Sequence, residues 1–121
     1  MAKIGMVLGA VTACLCGATP AMANGGAVRT AHDAIVRGDF TSAEQTLAAE
    51  RRIFPARPEV TINLAAVYAR TGRADLATSL YRDALSRDAV MLDLGDARPV
   101  SSHVIAQRGL SRIAAIQTAA R

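Results

Sequence analysis

Two histidines, two cysteines and ten carboxylates are the side chains of this sequence that could do chemistry. His32 and His103 stand 71 positions apart, and neither has a second His at a metal-ligand spacing. Cys14 and Cys16 fall in an apolar N-terminal stretch, which leaves the rest of the chain without a thiol nucleophile or a disulfide. Asp33 with Asp39, and Asp93 with Asp96, form carboxylate pairs in sequence, but solvated helix ends and turns account for them. Gly25-Gly26 and Gly95 lack the strand-to-helix setting of a phosphate loop, and no G-x-S-x-G occurs. The reactive residues therefore predict no enzyme, no cofactor and no metal site. Function is expected to reside in a surface, so the elements that build that surface decide the reading.

Length and composition restrict those elements. A chain of 121 residues is one domain by size, and its part after residue 23 can bury only one small core. Alanine is abundant, Trp is absent and Phe and Tyr number two each, which suits close-packed helices rather than sheets. Lys3 is the single lysine; thirteen arginines face ten acids, a formal +3 once Lys3 is set aside. The arginines are scattered singly, apart from Arg51-Arg52, with acids among them. That pattern describes a solvated helical surface and argues against a nucleic-acid partner.

Residues 1–23 carry the marks of an export signal: Lys3 as the positive start, an uncharged apolar run from Ile4 to Gly17, Pro20, and Ala21-Met22-Ala23 as a cleavage site before Asn24. The run is too short to cross a bilayer, which takes about 20 apolar residues. Periplasmic or secreted localisation follows as the expectation. A second reading starts from Val11-Thr12-Ala13-Cys14, which resembles a lipobox; only lipidation at Cys14 would give this chain a membrane partner.

Beyond residue 23 the sequence repeats itself. Gly38 and Gly72 are 34 apart, as are Ala31 and Ala65, Ala43 and Ala77, and Leu47 and Tyr81. Pro58 and Glu59 suit the first turn of a helix. Val60, Leu64, Val67 and Tyr68 follow at helical spacing, and Gly72 closes that helix. A second helix over about 74–87 places Leu76, Ala77, Leu80, Tyr81, Ala84 and Leu85 on one face, and Phe40, Ala43 and Leu47 do the same in the first copy. Small residues at Ala31, Ala65, Ala77 and Ala84 mark where helices cross closely.

A helix–turn–helix period of 34 residues resembles the tetratricopeptide repeat. In the copy at 58–91, Leu64, Ala65 and Tyr68 match that family's L, small and Y positions, with Thr61 in place of its W; Ala77 and Tyr81 match its A-x3-F. The copy at 24–57 is degraded: Thr30 and Ala34 replace the Leu and Tyr, while Ala31, Gly38, Ala43, Leu47 and Pro55 are kept. The resemblance implies a groove lined by the first helix of each repeat: Val28, His32 and Ile35 from one, Glu59, Ile62, Asn63, Ala66 and Arg70 from the other. It implies a peptide or protein as partner, the usual occupant of such a groove. The carboxylate clamp some members use is not expected, because Val28 and His32 occupy the places of its Lys and Asn.

After Asp88 the period fails. Leu92, Leu94, the Gly95-Asp96 turn and Val100 predict a short β-hairpin or extended hook. Ser101 or Ser102 caps a last helix running to about Ala119, with Gly109 inside it; a glycine there costs about 1 kcal/mol relative to alanine and is explained by close approach to a neighbouring helix. Segment 92–121 thus serves as connector and capping helix for an open repeat end. The whole is expected to be an all-α fold of two repeats and a cap. Its expected role is a scaffold or adaptor; the alternative is a self-associating module, a homodimer, or an assembly factor or regulatory subunit of an envelope complex.

Overall fold

A computed structural model of the chain describes residues 23–93 and 98–121, with side chains from Gly26 onward. The expected export segment, with Cys14, Cys16 and its cleavage site, and the Gly95-Asp96 turn lie outside the described residues. The fold is all-α: α1 (Ala23–Val36), α2 (Phe40–Ile53), α3 (Pro58–Arg70), α4 (Ala74–Ser86) and α5 (Ser102–Ala119). Two-residue strands, β1 (Met91–Leu92) and β2 (Val100–Ser101), pair antiparallel between α4 and α5.

α1 packs on α2 and α3 on α4, giving two helical hairpins, and α2 packs on α3 to stack them. Each hairpin turns through a glycine with positive φ, Gly38 at 76° and Gly72 at 78°. The same backbone bond closes both first helices: Asp39 donates its N–H to the Ala34 carbonyl at 2.8 Å, and Arg73 donates to that of Tyr68 at 2.9 Å. This is the six-to-one bond that ends a helix when the residue before it adopts the left-handed region, which costs glycine least. The next helix starts at once. Asp39 caps α2 by accepting from the Ser42 N–H at 3.2 Å, and Ser42 holds its carboxyl below the ordinary carboxylate range.

The core runs through both hairpins and into α5. Ala31, Ala43, Leu47, Val60, Ala65, Val67, Ala77 and Ala106 are wholly buried. Leu76 departs from the expected apolar face: it is 49% exposed, in the first turn of α4, where the helix has only just begun. The hook arrives as a minimal ladder, with Met91 opposite Ser101 and Leu92 opposite Val100. Buried Ser102 locks it: its N–H donates to the Val90 carbonyl at 2.8 Å and its Oγ accepts from the Val90 N–H at 3.1 Å.

α5 packs on α4 and α3 as α3 packs on α2 and α1. A shift of 41 positions brings Thr61, Leu64 and Ala65 onto Ser102, Ile105 and Ala106, and the two outer pairs are buried in both helices. The cap is therefore a third inner-type helix, delayed by the seven residues that the hook adds to the 34-residue period. At Gly109 the Tyr81 ring lies against the backbone, and any added methyl would overlap it. That contact repays the helix propensity lost at Gly109.

Candidate functional site

Three helices, α1, α3 and α5, lie side by side in that order on one side of the stack. α3 is the central one and is the most enclosed: Val60, Thr61, Ile62, Leu64, Ala65 and Val67 are buried. Among its other residues, Glu59, Asn63 and Ala66, half-buried, and Arg70, exposed, form a stripe at helical spacing. Four of the five α3 residues expected on a binding surface thus share one open face. Ile62 does not: at 5% exposure it belongs to the core, because it falls on the seam where α3 meets its neighbours rather than on the stripe. From α1, His32 is exposed, while Val28 and Ile35 flank it half-buried against the core.

Sequence reasoning missed the third wall. Across the 41-position shift Asn63, Ala66 and Arg70 correspond to Val104, Gln107 and Ser111 of α5, all exposed. Thr61-Leu64-Ala65 against Ser102-Ile105-Ala106 was the signal that could have found it; the hook breaks the 34-residue period and hides the match. His103, in the first turn of α5, has its Nε2 2.7 Å from the Arg87 carbonyl oxygen and ties the start of α5 to the end of α4.

On the α2 side Glu44, Glu50 and Arg51 are paired, while Arg52 is exposed without such a pair among the described residues. Arg73 Nη1 donates to Glu44 Oε1 at 2.8 Å, and the guanidinium lies 4.5 Å from the Tyr68 ring centroid. That hydrogen bond holds the Glu44 carboxyl below its ordinary range, outweighing burial, and raises the Arg73 guanidinium. Arg57 bridges Glu50 at 3.2 Å and Glu59 at 2.9 Å, and Asp83 takes Arg51 at 3.7 Å and Arg87 at 3.4 Å. Glu44–Arg73 and Arg51–Asp83 join α2 to the second hairpin, so arginines that look scattered in sequence latch the repeats together.

Like Arg52 and Arg82, neither Arg70 nor Arg112 makes a hydrogen bond or ion pair with any described residue. Both act on Tyr81: burial pushes its hydroxyl above the ordinary tyrosine range, and the positive charges of Arg112 and Arg70 oppose that rise. α5 carries no acid along its length. Asn63 and His32 likewise have no side-chain partner among the described residues.

Among the described residues, no group of three or more His, Cys, Asp or Glu could hold a metal ion, and no helix is long and apolar enough to cross a membrane. Comparison with protein-family models, with curated proteins and with solved structures finds no match to the chain.

Proposed function

We propose that the chain is an exported protein-interaction module of tetratricopeptide type, which receives a peptide or protein segment on the α1–α3–α5 face. One observation carries this reading. The open stripe of the central helix is a row of unpartnered or small side chains (Asn63, Ala66, Arg70) flanked on both sides by parallel helices. A helix so enclosed elsewhere keeps one polar stripe open, the arrangement that lets an extended or helical peptide lie along a groove. Export rests on Lys3, the apolar run and Ala21-Met22-Ala23.

The test is a photoreactive benzoylphenylalanine placed at Asn63 and, as a control, at exposed Arg82 on α4. Irradiation in the compartment where the chain resides is expected to yield a discrete adduct from Asn63 and none from Arg82. The same adducts from both sites, or none from either, would remove the face assignment. An adduct of twice the chain's mass identifies a second copy as the partner. That reading is favoured by α5 alone, an inner-type helix that packs on α3 and α4, carries no further helix among the described residues and leaves Ile116 exposed. Mass spectrometry of the mature N-terminus separates a free Asn24 from a lipidated Cys14.

A further inference from the structure

α5 outruns the helices it packs on. Printed contacts fix its register against α4: His103 meets Arg87 and Gly109 meets the Tyr81 ring, six residues forward on α5 and six back on α4. Seven more residues bring Ile116 level with Ala74, where α4 begins. On the other side α3 ends at Arg70, level with Ser111 under the 41-position shift. The core-facing row of α5 therefore runs past its cover: Ile113 is 5% exposed, and Ile116, about one turn on, is 66% exposed. Every residue from Ala114 to Arg121 is exposed. Arg108, Arg112 and Ile116 are exposed at four-residue steps and form one ridge about 12 Å long. Charge sorts the same way. Residues 23–93 hold nine arginines and nine acids, whereas residues 98–121 hold four arginines and no acid.

We propose that this overhang is a docking site of its own, and that it takes an acidic amphipathic helix of a protein partner laid along α5. Ile116 is the apolar anchor, and Arg108 and Arg112 meet the partner's carboxylates beside it. The apolar row continues the interface that α5 already makes with α4, so the partner extends an existing seam. Ala115 and Ala119 leave room for a second helix axis at about 8–10 Å. A second copy would bring the same apolar row but set arginines near arginines, with no acid in α5 to meet them. Insertion into a lipid surface calls for Trp, Phe or Leu on the apolar side, where the overhang has one isoleucine among alanines. The site begins where α3 ends, so it does not depend on what occupies the α1–α3–α5 face.

A displayed library of helical peptides, selected on the full chain, tests this. Recovered peptides are expected to carry an apolar seam flanked by Asp or Glu. Ile116→Asp should weaken their binding about tenfold or more, as loss of an anchor does, and Arg112→Gln about threefold, within the range of an exposed ion pair. Ile53→Asp, at an isoleucine just as exposed at the end of α2, should change nothing. Replacing Glu by Gln in the peptide should reproduce the Arg112 loss with the protein untouched, which covers any variant that fails to fold. Peptides that respond to Asn63→Asp or Ala66→Trp but not to Ile116→Asp would move recognition to the α1–α3–α5 face and overturn the overhang site. Ile116-dependent binding to phosphatidylglycerol vesicles with no acidic peptide recovered would overturn the protein partner in favour of a lipid surface. Recovery of no peptide and no vesicle binding would overturn the site altogether.

Discussion

The two joints of the stack use different physics. Between the hairpins, α2 meets the second hairpin through wholly buried Leu47 and through ion pairs at its rim, Glu44–Arg73 and Arg51–Asp83. Between α4 and α5 no ion pair occurs among the described residues. That joint is held by Tyr81 against Gly109, by the reciprocal backbone and hydroxyl bonds of Val90 and Ser102, and by His103 on the Arg87 carbonyl. Leu47 and Tyr81 are equivalent positions, 34 apart; Tyr68 and Gly109 are equivalent across the 41-position shift. Bulk has been exchanged across the joint: Leu47 belongs with a tyrosine on the next inner helix, and Tyr81 with a glycine. Equivalent positions thus place the large ring on the inner helix at the first joint and on the outer helix at the second, where a glycine leaves room for it.

The largest effect is expected at the first joint. Leu47→Ala removes a fully buried side chain and leaves a cavity in the core, and about 3 kcal/mol of stability should be lost in denaturant titration. A loss below about 1 kcal/mol would mean that the first hairpin adds little to the common core.

The second joint is tested by Gly109→Ala. Alanine gains about 1 kcal/mol in helix propensity but collides with the Tyr81 ring, and overpacking of about 1–3 kcal/mol should leave a net loss. Tyr81→Leu should relieve the collision. The double variant is then expected to lose less than the two single changes together, by about 1 kcal/mol of coupling. Additive losses would show that the ring does not occupy the space the glycine vacates.

The smallest effect concerns the ionic rim. Arg73 holds the Glu44 pKa below its ordinary range, so the folded value lies below the unfolded one. The stabilisation is then fully present above the ordinary carboxylate range and is lost as pH falls through the lowered value. At neutral pH Glu44→Gln should melt slightly below the parent chain, and the gap should close in acid. It should also narrow with added salt, because both side chains are partly exposed. Asp39, whose pKa is lowered by Ser42, titrates alike in both proteins and cancels in the comparison. A gap independent of pH and salt would assign the pair no electrostatic role.

What the sequence determined by itself is local and periodic. The glycines at 38 and 72, Pro58 at the head of α3, Ser101 before α5 and the apolar spacing of each helix act within a few residues, so their outcomes could be written before any coordinates existed. The close approach at Gly109 was legible for the same reason: a glycine inside a helix needs a cause. Tertiary structure decided the rest. Periodicity put Leu76 on the inner face, but a side chain in the first turn is buried only as far as other elements cover it, and Leu76 stays half exposed. Ile62 looked like a groove residue until the neighbouring helices closed over it. The pairing of arginines with acids up to 32 positions away depends on distances through space that no local pattern encodes.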